Sequence, residues 1–114
     1  MSTQVRPKNL LVPVILMELQ QWDSYGYELM EKTARFWQEA LNPGTLYRTL
    51  RQMEKNGDVK STWATAKNGP ARRMYSVTEA GEACLESWIT ALKQCQSNID
   101  SFLGLYHRPL ARDN

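Results

Sequence analysis

Between Asn42 and Gly57 the chain places Arg48, Arg51, Gln52 and Lys55 three, one and three residues apart, with Thr45 three residues earlier. A guanidinium donates in a planar fork that matches phosphate oxygens or the O6/N7 edge of guanine. A glutamine amide matches the edge of adenine, and an ammonium supplies a point charge. On a helix this spacing gathers all of them on one side, because residues three and four apart are neighbours there. The chemistry these residues can do is non-covalent recognition of a polyanion. Nothing in the chain competes with it for a covalent role. The single histidine is His107, no nucleophile motif or phosphate loop occurs, and two cysteines make neither a disulfide framework nor a metal site. An enzyme is not expected, and no cofactor or metal is implied.

The segment that carries these residues has its own start and stop signals. Asn42 is an N-cap residue type, whose side-chain oxygen accepts from an orphan N–H of the first turn. Pro43 fits the next position, where its missing N–H costs nothing. Asn56-Gly57 suits the end, since either residue tolerates the left-handed conformation. Leu46, Leu50 and Met53 recur at helical spacing and form the side turned to a core. A short rigid helix with an apolar inner face and a basic outer face fits a DNA major groove.

Two short strand patterns follow, Val59–Trp63 and Arg73–Val77, joined by a polar loop from Ala64 to Arg72 that contains Asn68-Gly69-Pro70. Helix, strand, turn, strand is the order of a winged helix, and the loop would be the wing. It carries Lys67, Arg72 and Arg73 towards a phosphate backbone. Charge is distributed accordingly. From Asn42 to Arg73 seven basic residues face only Glu54 and Asp58, a net of +5, which leaves −3 for the rest of a chain whose total is +2. Such a patch on a near-neutral protein is the electrostatic footprint of phosphate contact. The alternatives are a merely solvated charged face, or a winged helix used as a protein-interaction module that docks an acidic partner.

The remaining elements must hold this unit. At 114 residues, with 42% hydrophobic and 23% charged residues, the chain has the composition of one ordinary globular domain plus an extension. No signal peptide or membrane span is legible, and the thiols are expected to be reduced in a cytoplasmic protein. Residues 1–8 read as a mobile lead-in, 9–77 as the winged-helix domain, 78–106 as a long helix and 107–114 as a tail. Asn9–Gln21 is apolar and reads as a buried helix that either begins at Pro13 or kinks there. A second helix covers about Tyr25–Phe36, with Tyr27, Met30, Ala34 and Trp37 spaced as a packed face. The fold class is mainly α with a small β-hairpin: a winged helix-turn-helix plus a long C-terminal dimerisation helix.

Thr78 suits the N-cap of that long helix, and Glu79 and Glu82 suit its positive end. Leu85, Trp88, Leu92, Cys95, Ile99, Phe102 and Tyr106 alternate three and four apart, a heptad seam that Ile89 and Leu103 widen. About 28 residues span roughly 42 Å at 1.5 Å per residue, more than the ~30 Å of a 70-residue domain. The helix must overhang, and the economical cover for its seam is the same helix of a second copy. The alternative is that the seam packs back on the first helix of its own chain; both contacts are expected, with the first helix helping to form the dimer interface.

The residues also carry a resemblance. Tyr25-Gly26-Tyr27-Glu28-Leu29, then Gly44-Thr45-Leu46-Tyr47 with Leu50, Glu54 and Gly57, then Gly69 through Gly81 resemble, in order and spacing, the PadR family of bacterial transcriptional regulators. The likeness runs from about Asn9 to Tyr106. Arg48 stands where the family usually has proline. Together with Trp63, Gly69-Pro70-Ala71 and Phe102…Tyr106, it is similar to the polyhydroxybutyrate-responsive repressors of the PadR type. The resemblance implies a homodimeric winged-helix repressor on inverted-repeat double-stranded DNA, released by an effector. For that branch the effector would be the storage polyester or its granules.

Candidate DNA contacts are therefore Asn42, Thr45, Tyr47, Arg48, Arg51, Gln52 and Lys55 on the helix, and Lys67, Arg72 and Arg73 on the wing. Arg48 and Arg51 read a base or reach phosphate only. Asn42 caps the helix or donates to phosphate. Tyr47 touches the DNA backbone or closes the core. Strand alternation sends Arg72 and Arg73 to opposite sides, so that one of them faces DNA. Leu85, Trp88, Leu92, Cys95, Ile99, Phe102 and Tyr106 line either plain dimer core or an effector pocket with Trp88 as its wall. Cys95 near a two-fold axis would permit an oxidation switch, although nothing in its sequence neighbourhood lowers a thiol pKa.

Overall fold

A computed structural model describes residues 10–37, 41–64 and 72–108, with only the backbone at Trp37. Lys67, Gly69 and Pro70 lie outside the described residues, as do the lead-in and the end of the tail. The elements run α1 (Leu11–Gln21), β1 (Ser24–Tyr25), α2 (Gly26–Trp37), α3 (Pro43–Lys55), β2 (Val59–Ala64), β3 (Arg72–Val77) and α4 (Glu79–His107). α1 begins at Leu11 rather than at Pro13, which lies in the first turn, where no backbone donor is needed. No helix among the described residues is long and apolar enough to cross a membrane.

The strands form one antiparallel sheet in the order β1-β3-β2. The expected hairpin is present, with Val59 opposite Val77 and Trp63 opposite Arg73. The third strand is an addition. Ser24 and Tyr25 pair with Tyr75 and Met74 along the other edge of β3. Two residues carry no period, so only the partner strand reveals them.

One core binds these layers. Leu11, Ile15, Leu16 and Leu19 of α1 meet Leu29 of α2, Leu46, Leu50 and Met53 of α3, Val59, Tyr75 and Leu85. On α2 the buried line differs from the expected one. Leu29 and Thr33 are fully covered, whereas Tyr27 is 51% exposed and Met30 and Ala34 are half-buried. The turn of helix towards Leu29 and Thr33 is possible because the Thr33 hydroxyl donates to the Leu29 carbonyl at 2.7 Å, so its burial leaves no unpaired polar atom.

A compact joint connects the end of α3 to the start of α4. Gly57 takes φ +85°, which favours glycine. Its carbonyl accepts from the Thr78 hydroxyl at 2.6 Å, and the next carbonyl, of Asp58, accepts from Thr78 N–H at 3.1 Å. Thr78 in turn caps α4, accepting from Gly81 N–H at 3.0 Å. Gly81 lies against this turn so closely that a Cβ there would meet the Asp58 carbonyl and lie 2.7 Å from Val77 Cγ2.

Beyond the joint α4 leaves its own domain. Leu85 is 6% exposed and belongs to the core, which corrects its assignment to the intersubunit seam: it lies one turn past the joint, directly over α1 and β3 packing. Trp88 and Leu92 are half-buried, and every residue from Cys95 to Arg108 is exposed. That stretch is roughly 20 Å of helix at 1.5 Å per residue. It carries Ile99, Phe102, Leu103, Leu105 and Tyr106 at 44–75% exposure.

Candidate nucleic-acid interface

α3 is organised by its ends and its inner face. Asn42 Oδ1 accepts from Gly44 N–H at 2.7 Å and Thr45 N–H at 3.3 Å, so its side chain is occupied in capping. Leu46, Leu50 and Met53 are 0–2% exposed and pin the helix to α1 and β2. The Thr49 hydroxyl donates to the Thr45 carbonyl at 2.8 Å. The opposite side presents Arg48, Arg51, Gln52 and Lys55, all exposed, with Thr45 half-buried beside them. Gln52 donates to Asn56 Oδ1 at 3.0 Å, which lays its amide along the helix. Among the described residues no carboxylate pairs with Arg48, Arg51 or Lys55.

The hairpin stands beside this helix across a cleft of about 650 Å³. Arg51, Glu54 and Lys55 form one wall; Trp63, Arg73 and Tyr75 form the other. The two wing arginines diverge. Arg73 bends back to α3: it donates to Ser61 Oγ at 2.8 Å, lies 3.6 Å from Glu54 Oε1, and stacks 5.0 Å from the Trp63 ring. Ser61 completes the tie by donating to Glu54 Oε2 at 2.7 Å. Arg72 goes the other way, towards Tyr25 and Tyr27. Burial pushes the Tyr75 phenol up, so the back of the cleft holds a neutral hydroxyl.

The Glu54–Ser61–Arg73 tie sets the angle between helix and hairpin. Both charged side chains are more than a third exposed, so solvent screening leaves the ion pair a small stabiliser. Glu54→Gln should lower stability by about 1 kcal/mol, mostly through the charge-assisted bond from Ser61. It should appear as a lower urea midpoint with an unchanged slope. An unaltered midpoint would mean that the tie holds nothing.

Sequence reasoning missed Glu54, Ser61, Trp63, Tyr25 and Tyr27 as parts of this surface. Period-two alternation would have found some of them, since Ser61, Trp63 and Arg73 share one face of the sheet. Trp88 makes the contact with the first helix of its own chain that was expected beside the intersubunit one. It walls a groove of about 640 Å³ within its own chain, with Leu11 and Val12 of α1 on one side and Thr45, Arg48 and Gln52 of α3 on the other. The Cys84 thiol is pushed up by burial and by the nearby Asp58 carboxylate, which makes it a poor nucleophile. Cys95 is exposed on the overhang. Among the described residues no three His, Cys, Asp or Glu side chains cluster as a metal site.

Comparison with known proteins places the fold. The model of the PadR-like transcriptional regulator family matches residues 15–87, well over half of the chain. The chain belongs to the PadR-like family. A curated relative named "Probable transcriptional regulator Rv1176c" from Mycobacterium tuberculosis is 35% identical over 79 residues, 66% of this chain. The chain spans only 41% of that relative's length. Among solved structures, a PadR family transcription regulator from Clostridium difficile is 30% identical with a TM-score of 0.74, covering 84% of this chain and all of that one. A PadR-like transcriptional regulator from Bacillus cereus is 27% identical with a TM-score of 0.75, covering 84% of this chain and 93% of its own. PadR-like proteins are transcriptional regulators rather than enzymes.

Proposed function

We propose that this PadR-like chain is a sequence-specific DNA-binding repressor that works as a cytoplasmic homodimer and leaves its operator when an effector binds. The observation that carries the reading is the outer face of α3. Three cations stand there, without a carboxylate partner among the described residues, beside a hairpin and on a helix whose inner face is locked into the core. Unpaired exposed cations on a rigid helix are ready for base edges and phosphates without losing an existing partner.

Dimerisation through the exposed end of α4 supplies the second helix. A two-fold pair would present two α3 helices to half-sites of an inverted repeat, about 34 Å apart. The joint at Gly57, Asp58, Thr78 and Gly81 ties the end of each α3 to the start of its own α4. The spacing of the recognition helices would then follow the angle between the α4 helices. An effector at that seam, or in the groove walled by Trp88, changes DNA affinity only by its differential affinity for the two spacings. An apolar effector fits both places, and the resemblance to the polyhydroxybutyrate-responsive branch makes a polyester chain the first to try.

The test is binding to the promoter DNA upstream of the protein's own gene across a salt series. Arg48→Ala and Arg51→Ala should each weaken binding by about tenfold or more, the cost of one bidentate base contact. At least one should also flatten the preference for the promoter over unrelated DNA. If no fragment is retained specifically and salt has little influence, the repressor reading fails and docking to an acidic protein takes its place.

A further inference from the structure

Arg72 opens β3 on the side of the hairpin away from the Arg73 tie. Its guanidinium lies 5.2 Å from the centroid of the Tyr27 ring and 5.9 Å from that of Tyr25. Those two rings are stacked, 5.7 Å apart and 9° from parallel. Their positions are set by the structure around them. Tyr25 pairs with Met74 in the sheet, and its N–H donates to Glu28 Oε1 at 2.8 Å. Tyr47 reaches across from α3 and fills the space above Gly26; a Cβ on Gly26 would lie 2.6 Å from its ring and 2.8 Å from its hydroxyl. Tyr27, Tyr47, Arg72 and Arg73 thereby line one notch of about 260 Å³, and no carboxylate of the described residues lines it.

The two arginines of this notch differ in what they have left to give. The Arg73 guanidinium is engaged by Ser61 and Glu54. Among the described residues Arg72 has one long bond, to the Tyr27 hydroxyl at 3.4 Å, and otherwise ring faces. An arginine laid against aromatic rings is pre-oriented, keeps its full charge and leaves its edge donors open. Exposed phenol hydroxyls add neutral donors at the rim. A planar cationic fork flanked by hydroxyls, with no acid of the described residues opposing it, matches the oxygens of a phosphodiester.

We propose that Tyr27, Tyr47 and Arg72 form a clamp for one backbone phosphate of the DNA, separate from the base-reading face of α3. The clamp rests on the DNA-binding reading given above. Its part is to set the register of the protein on the duplex, which phosphate contacts do without carrying sequence information. It also assigns a role to Tyr27, which packing alone would have turned inward.

The experiment measures binding of the full chain to its promoter duplex and to an unrelated duplex of the same length, across a salt series. Tyr27→Phe keeps the ring stack and removes only a hydroxyl, so its fold is secure. It should bind about fivefold more weakly, as for one lost hydrogen bond, and by the same factor on both duplexes. Arg72→Gln should reduce the slope of log affinity against log salt by about 0.9, one phosphate's worth. Replacing single phosphates by uncharged methylphosphonates should reveal one position that matters to the wild type and not to Arg72→Gln. Inorganic phosphate at constant ionic strength should leave DNA binding by the wild type and by Tyr27→Phe unchanged, because a lone anion lacks the duplex contacts that hold the phosphodiester in the notch.

If the wild type binds neither duplex, the DNA reading itself has failed. If the wild type binds and both variants keep its affinity and salt slope, the clamp is wrong while that reading stands. A loss confined to the promoter duplex would make the notch a base-reading element and overturn the phosphate assignment. Displacement by inorganic phosphate that Tyr27→Phe abolishes would make it a site for a free anion instead.

Discussion

Replacing Gly81 with alanine should lower the melting temperature by about 10 °C, from an overpacking cost of about 2 kcal/mol in a chain of this size. The reason is the joint between α3 and α4. A Cβ at Gly81 meets the Asp58 carbonyl, which is backbone and already accepts from Thr78 N–H, and Val77 Cγ2 on its other side. Neither is the far end of a flexible side chain, so α4 must lift from the turn. Lifting it weakens the Thr78 cap and the bond from Thr78 to the Gly57 carbonyl. Gly104, on the same helix, supplies the contrast. Nothing lies within 4 Å of a Cβ there, and the position faces away from the Ile99–Phe102 line. Gly104→Ala should therefore raise stability by about 0.5–1 kcal/mol through the ordinary helix preference for alanine. Thermal unfolding of both variants checks the pair. A Gly81→Ala protein as stable as the wild type would mean that the joint is loose, and the proposed transmission from α4 to the recognition helix would lose its physical basis.

Glutamate at both Ile99 and Phe102 should convert the proposed dimer to a folded monomer and weaken promoter binding by about a hundredfold, the loss of linking two half-site contacts. Ile99 is 52% exposed and Phe102 66%, and neither touches the core. Their removal leaves the winged-helix unit intact. Together with Leu103 and Tyr106 they form a contiguous apolar surface on a free-standing helix, and soluble monomers rarely leave such surfaces open. Light scattering coupled to gel filtration reads the mass, and promoter titration reads the affinity. A wild type that already runs as a monomer would end the homodimer proposal. A double variant that keeps the wild-type mass would move the interface elsewhere on the chain.

What could be read in advance followed from the range of each signal. The bounds of α3, its cap and its buried line were legible, because Asn42, Pro43, Leu46, Leu50, Met53 and Gly57 act on neighbours within about one helical turn. The same holds for Thr78 at the start of α4. The overhang was legible too, since a 29-residue helix is longer than the domain it leaves. The α2 face was read one position off. Tyr27, Met30 and Ala34 satisfy a helical period as well as Leu29 and Thr33 do, and the choice depended on a threonine hydroxyl that could bond its own backbone.

By itself, the sequence determined the order of the four helices and the hairpin, the basic outer face of α3 and the family to which the chain belongs, since these rest on local spacing and composition. Only the tertiary structure decided which cations are free. Arg72 and Arg73 are adjacent and chemically identical, yet one is held by Glu54 and Ser61 while the other lies on Tyr25 and Tyr27, about 45 residues away in the chain. It also decided that Leu85 closes the core of its own chain and that Trp88 walls a groove with α1 and α3. A periodic apolar position states that something covers it. What does so depends on packing between distant segments, which no local pattern encodes.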